Sequence, residues 1–402
     1  MKKILIVCSH YLDDTDANAI CVRNLVKEFS KKNEIYIITD ESNDSFTYKK
    51  NELTTNVHLY FVKSSFYETL LKKDVSMFRH LLLFFYSFFR RVINLFVFPN
   101  VSPIRTKKIT SIAKSIINEK AIDYYLATYR PFESIVCGEK LKKHFCNVRF
   151  ISYHLDNLDG HCYKSRIIAR IIKNRIRYAF KRENKLYDRI FVTFTSHLSG
   201  DKTIKIGLPV YKKNESISFN YQFDNNYINI VYVGSLNKNN RNPEYAFSLF
   251  SRYNDTHDKK ILVHLWGNTI GLSELLVRYK IFVIDNGPIC NKYTQYIYEN
   301  CDCVLNVGNK ITTDMLPSKL FQVFATGKPI ISFNKKEDKS IEYLRDYGNS
   351  ILLSYDCFEN DYKLLEESIE LLNAVDNSRK GWDLFTPEKI AEVLLNEGQN
   401  EI

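Results

Sequence analysis

Two stretches of this chain open alike. Lys2 to Val7 (KKILIV) and Ile228 to Val233 (INIVYV) are short apolar, β-branched runs, each followed by a polar loop and then a segment of helical period. Each reads as the first strand of an αβ domain. After the first run comes Asn18 to Lys32, in which Ile20, Leu25, Val26 and Phe29 suit one buried helix face, and then the strand-like Glu34 to Thr39. That is a β–α–β unit, whose connection should be right-handed. The alternation continues through Asp123–Thr128, Val148–His154 and Arg189–Phe194.

It weakens over Lys212 to Asn226, a polar stretch suited to a linker, and resumes with Ile261–Gly267, Ile281–Asp285, Cys303–Gly308 and Pro329–Phe333. The pattern predicts an α/β chain of two doubly wound domains in tandem. The length of 402 residues fits that count, and no repeat of 20 to 50 residues points to a solenoid. In open parallel sheets ligands bind beyond the carboxyl ends of the strands, so the expected site is the cleft between two facing domains, and the loops after strands matter most.

The nine cysteines are scattered without a CxxC or a paired zinc-ligand spacing, which reads as reduced thiols in a cytoplasmic protein. Cys301-Asp302-Cys303 reads as two inward residues of a strand edge. Met1-Lys2-Lys3 is followed by only a short apolar run before Ser9-His10, so the start reads as a strand and not a signal peptide. Leu81 to Phe98, within the apolar segment 78–98, is interrupted by Arg90 and Arg91, and therefore reads as a core or membrane-surface helix and not a span.

The net charge of +11 favours an anionic partner: membrane surface, phosphorylated ligand or nucleic acid. Lys164 to Lys185 is a basic amphipathic helix with Ile168, Ile171, Ile172, Ala179 and Phe180 roughly on one face. Two readings stand. That face meets an anionic membrane, or it packs on the sheet and leaves the charges solvated.

Two loops carry the candidate chemistry. After Val233, Gly234 marks a tight turn, Lys238 and Arg241 follow, and Pro243-Glu244 opens a helix whose free N–H groups could meet an anion. No GxxxxGK[ST] is present. In Met315–Ile331 (MLPSKLFQVFATGKPII), Pro317-Ser318 offers a cap, Lys319 sits in the first turn, and Leu320 and Phe324 face the core. Gln322 projects elsewhere, and Gly327 and Pro329 end the helix ahead of the next strand.

YVGSLNKNNRNPEYAF, a strand ending in Gly267, DNGPI, the helix before Asp302, and MLPSKLFQVFATGKPII together resemble the donor half of GT-B glycosyltransferases, in particular the family 4-like retaining enzymes. ILIVCSHYLDDTDANAICVRNLVKEF is similar to the family's first strand, acceptor-side loop and first helix. ISYHLDN is similar to its interdomain histidine segment, and RENKLYDRIFVTF followed by IKIGLP to the end of its N-domain. The resemblance covers nearly the whole chain.

It implies an N-terminal acceptor-binding domain (1–207), a C-terminal nucleotide-sugar donor domain (208–380) and a terminal helix (381–402) packing back on the N-domain. Arg241 would neutralise the donor diphosphate, which Gly234 admits. Ser235 falls where many members place arginine, so Lys238 and the helix end with Pro317, Ser318 and Lys319 share the phosphates. The family's two glutamates fall on Asp314, towards the transferred sugar, and Gln322, towards the ribose, where an amide can still pair with a diol. His154 matches the histidine beside the anomeric carbon, with a satisfied strand-end histidine as the alternative reading. Pro288 and Ile289 match the loop bracketing the base, and Asp16 and Asn18 lie on the acceptor side.

The implied reaction moves a sugar from a nucleotide-sugar to a saccharide or lipid-linked saccharide, with retention, in bacterial surface polysaccharide assembly. The donor is a substrate; no cofactor is expected and no metal is required. The implied location is cytoplasmic, or peripheral on the inner membrane face through 164–185 and 78–98. A GT-B-fold nucleotide-sugar epimerase is the rival enzyme, though acidic and histidine catalysts for it are not identifiable. A nucleic-acid-binding protein is the rival of another class, without its usual signatures.

Overall fold

Each apolar run forms a strand, and every strand pairs in parallel with its neighbours among the described residues. The computed structural model describes residues 1–13, 16–41, 54–62, 102–129, 131–156, 166–212, 217–310, 318–369 and 382–396. The chain divides into two units, Met1–Pro209 with Leu384–Ile402, and Val210–Asp383.

The first unit holds β1 (Lys3–Val7), α1 (Ala17–Phe29), β2 (Glu34–Asp40), β3 (Val57–Val62), α2 (Pro103–Lys120), β4 (Tyr124–Tyr129), α3 (Phe132–Lys142), β5 (Arg149–His154), α4 (Arg166–Leu186), β6 (Arg189–Thr193) and β7 (Thr203–Ile206). Its seven strands are ordered β3-β2-β1-β4-β5-β6-β7. Parallel strands need crossovers, and the helices that supply them cover the sheet. Ile20, Leu25, Val26 and Phe29 of α1 are all buried.

The second unit holds β8 (Ile228–Val233), β9 (Leu236–Asn237), α5 (Glu244–Thr256), β10 (Ile261–Trp266), β11 (Thr269–Ile270), α6 (Ser273–Arg278), β12 (Val283–Asp285), α7 (Asn291–Asn300), β13 (Cys303–Val307), α8 (Ser318–Phe324), β14 (Ile330–Phe333), α9 (Ser340–Tyr347), β15 (Ser350–Leu353) and α10 (Phe358–Ile369). Six strands are ordered β12-β10-β8-β13-β14-β15, and β9 and β11 form a small ribbon. Phe247, Phe250, Val263, Leu305 and Ile331 lie in its core. Cys301 and Cys303 are buried, while the exposed Asp302 between them accepts from the Asn229 backbone N–H at 2.7 Å. After the second sheet the chain returns as α11 (Pro387–Leu395), capped by Thr386, to pack against α1.

Expectations for two segments change in detail. The segment 212–226, read as a polar linker, brings Phe219, Tyr221 and Phe223 against the second unit: Phe219 meets Trp266 at 5.6 Å and Tyr293 at 4.9 Å, and Phe223 meets His264 at 4.9 Å. Ile172, Ile176, Ala179 and Phe180 of α4 are buried in the first unit's core, with Ile168 packed against it. Of the two readings of that face, packing within the unit's own core is the one observed, and Ile171, expected on that face, is 43% exposed. Neighbouring helix residues point about 100° apart, so Ile171 and Ile172 cannot share the centre of one stripe. The segment 78–98 lies outside the described residues, and no helix among the described residues is long and apolar enough to cross a membrane.

The burial difference along α4 has a measurable consequence. Phe180→Ala should destabilise the protein by about 3–5 kcal/mol, whereas Ile167→Ala should change stability by no more than about 0.5 kcal/mol. Urea denaturation followed by circular dichroism would separate them, and equal effects would contradict the packing described.

Candidate functional site

The carboxyl ends of β8, β10 and β12 are joined by backbone hydrogen bonds. Gly234 N–H donates to Trp266 O at 2.8 Å, and Gly267 N–H donates to Gly287 O at 2.7 Å. Gly234 (φ +154°) and Gly267 (φ +137°) have backbone conformations that side chains rarely adopt, and a Cβ on Gly267 would lie 1.9 Å from Gly234 O. Gly234 was legible as a turn glycine; the role of Gly267 required the neighbouring strand. Beyond β12, Pro288 is exposed and Ile289 half-buried in the loop before α7.

From β8 the chain passes the exposed Ser235 and Lys238 to Arg241. Arg241 Nε donates to Asn309 Oδ1 at 2.7 Å, and Asn240 Nδ2 donates to the same oxygen at 3.0 Å. Asn309, buried just beyond β13, therefore fixes one edge of the guanidinium. Nothing along the chain signals this residue, because its partners lie 68 and 69 positions away. Burial pushes the Tyr232 hydroxyl up, and the charge of Arg241 and a hydrogen bond to it act in the opposite sense.

Pro243 stands before α5, whose first turn holds Glu244. Asn242 Oδ1 accepts from the Glu244 backbone N–H at 3.0 Å, so side chains of this loop already answer part of that helix end. The capping position itself, Pro243, makes no side-chain cap hydrogen bond.

Ser318 lies within α8 instead of capping it. Leu320, Phe321, Val323 and Phe324 are buried and so is Gln322, leaving the short helix enclosed on nearly every side. Thr326 Oγ donates to Val323 O at 2.6 Å, Gly327 takes φ +78°, and Asn349 Nδ2 donates to Gly327 O at 3.1 Å, which together end the helix ahead of β14.

The pKa of Lys319 falls to about 8 through burial and, second, the charge of Arg241. Two cations from distant segments therefore influence one another, and among the described residues no carboxylate pairs with either. Asp314 and Pro317 lie outside the described residues.

In the first unit, His154 ends β5 and is buried, with Nε2 2.8 Å from Glu183 Oε1 of α4 and its ring stacked on Tyr129 at 5.9 Å. Ser152 donates to the same carboxylate oxygen. The histidine is thus held by a buried acid, a partner that sequence reading missed because Glu183 sits within a helix otherwise read as basic. Asp16 caps α1, accepting from Ala19 N–H at 2.8 Å, and Asn18 Nδ2 donates to Asp156 Oδ2 at 2.9 Å. A further polar group stood out only in three dimensions: Arg105 Nη2 donates to both oxygens of Asp40 at 2.6 and 2.5 Å, while burial raises the Glu133 carboxyl nearby.

No family model matches the chain, and no curated protein matches it by sequence. Its architecture does match solved structures. A sucrose-phosphate synthase from Thermosynechococcus elongatus superposes with TM-score 0.60 at 11% identity over 98% of this chain and 95% of that one. S. aureus TarM, in a complex containing UDP, gives 0.58 at 10% over 98% and 96%. Anabaena Alr3699/HepE, in complex with UDP, gives 0.56 at 11% over 98% and 96%. The chain has the GT-B fold, with two Rossmann-like units in tandem.

Gly267→Ala should therefore cost about 1–3 kcal/mol of stability, because the added carbon meets backbone and the φ is strained. A thermal melt unchanged from the wild type would show that the β8–β10 backbone junction is not as close as described.

Proposed function

We propose that the chain is a glycosyltransferase that takes a sugar from a nucleotide-sugar and passes it to a saccharide or lipid-linked saccharide. Its proposed setting is the cytoplasmic assembly of a bacterial surface polysaccharide. The observation that carries the reading is Arg241, oriented by Asn309 just beyond the carboxyl end of β13, with its charge felt at the buried Lys319 and no carboxylate partner for either among the described residues. Like charges so placed are unfavourable alone and become favourable around an anion, and a nucleoside diphosphate suits that arrangement. The GT-B architecture, shared with proteins solved in complex with UDP, supports the same choice of ligand.

In this reading Arg241 and Lys319 neutralise charge on the departing diphosphate, with Lys238, Ser235 and Ser318 at its edge, and Gly234 leaves the backbone open to it. Gln322 would reach the ribose, Pro288 and Ile289 would bracket the base, and His154, oriented by Glu183, would sit on the sugar side with Asp314. Asp16 and Asn18 remain assigned to the acceptor side. Stabilising the leaving group supplies much of the rate enhancement such a transfer needs. The retaining course assigned here lets the leaving phosphate accept the acceptor's proton, so no separate carboxylate base is required. Neither a cofactor nor an essential metal enters this scheme.

Two measurements test it. Arg241→Ala should weaken UDP or GDP binding by about tenfold to a hundredfold, the loss of one or more charge-assisted hydrogen bonds, with the fold retained. Unchanged affinity by calorimetry would remove the assignment.

The pH dependence follows from Lys319. A bound diphosphate favours the ammonium form, so affinity should fall as pH rises through about 8, and binding near pH 8 should take up protons. Lys319→Arg, which stays protonated, should flatten that decline. Calorimetry in buffers of different ionisation enthalpy reads the proton uptake directly, and proton release or pH-independent affinity would contradict it.

A further inference from the structure

Helix α4 carries a second set of apolar side chains, outside the core that the described residues of its unit form. Ile172, Ile176, Ala179 and Phe180 point into the core, and the one acid of the helix, Glu183, is buried with them. On the opposite side Ile167 is 74% exposed, Ile171 43% and Tyr178 70%. These positions are i, i+4 and i+11, which at about 100° per residue fall within about 40° of one line along the helix. Lys185 lies on that line, and the exposed Lys181, Arg170 and Arg177 lie within about 100° of it on one flank, with no acid of α4 among them. Arg182 is the exception among the exposed cations, being paired with Glu139 at 2.6 Å.

We propose that this outer face of α4 docks on an anionic lipid bilayer surface. Charge complementarity selects an anionic partner, and the aliphatic side chains select lipid among anionic partners. A nucleic-acid backbone would pair with the lysines and arginines but leave Ile167 and Ile171 in water. A bilayer interface accommodates all three kinds of group: aliphatic side chains enter the acyl boundary, a tyrosine ring sits at headgroup level, and long basic side chains reach the phosphates. The seat differs from the one expected from sequence, where the inward face was matched with the membrane. It also stands apart from the donor chemistry, since it involves none of the residues assigned to the nucleotide.

The experiment is flotation of the full chain with vesicles of phosphatidylglycerol and phosphatidylcholine, and with phosphatidylcholine alone, at 0.05 and 0.5 M salt. The wild type should float with the anionic vesicles, lose much of that binding at high salt through screening, and remain in solution with neutral ones. The variant Ile167→Ser, Ile171→Ser, Tyr178→Ser should lose at least tenfold in vesicle affinity while keeping the wild-type melting temperature, since all three side chains are exposed. Arg177→Glu with Lys181→Glu should lose as much.

Retention of vesicle binding by the triple serine variant would overturn the proposal, as would equal binding to neutral vesicles. Binding of a DNA duplex more tightly than anionic vesicles, insensitive to the three serine changes, would overturn it in favour of a polyanion surface. UDP affinity measured on the same variants should be unchanged, so failure of the membrane proposal and failure of the donor-site assignment give different results.

Discussion

The parallel pairing of every described strand is the constraint from which the rest follows. A parallel sheet needs a crossover between successive strands, so helices cover it and the strand ends of one polarity share one edge. In the second unit that geometry collects Gly234, Trp266-Gly267, Asn286-Gly287 and Asn309, residues far apart in sequence, at the carboxyl ends of β8, β10, β12 and β13. Backbone hydrogen bonds from Gly234 to Trp266 and from Gly267 to Gly287 hold three of those ends together, and Arg241 is brought beside the fourth by Asn309.

Charge placement then separates the two ends of the argument about binding. The net charge of +11 says only that some anion is favoured. Arg241 held by Asn309, with Lys319 losing affinity for its proton first through burial and second through the charge of Arg241, is a local arrangement of a different kind. It places repulsion at one point and holds the guanidinium's orientation, so an anion bound there gains from groups already in position. The outer face of α4 is the opposite case, a broad array of solvated cations around exposed aliphatics, suited to a surface instead of a pocket.

Much of the fold was legible because buried parallel strands are apolar along their whole length. Ile4–Val7, Ile230–Val233 and Ile330–Phe333 announce themselves in this way. The strands less easily read, Val57–Val62, Thr203–Ile206 and Ser350–Leu353, lie at sheet edges and are more polar or more exposed, so their pattern is weaker. Of the candidate site, the glycine after β8 and the Lys319 helix could be found from turn and capping chemistry. Asn309 and Glu183 could not, since an asparagine and a glutamate gain a role only from the partner that tertiary structure brings within 3 Å.

The sequence by itself determined the alternation of strand and helix, the tandem arrangement of two sheets and the surplus of positive charge, because these depend on periodicity and composition along the chain. Tertiary structure alone decided which side of α4 is core, which loop residues orient Arg241, and that Phe219, Tyr221 and Phe223 belong against Trp266 and His264 instead of in a solvated linker. The physical reason is the same in each case. An amphipathic or aromatic segment specifies that a face will be buried, but only the packed neighbour determines which face it is and what is left outside.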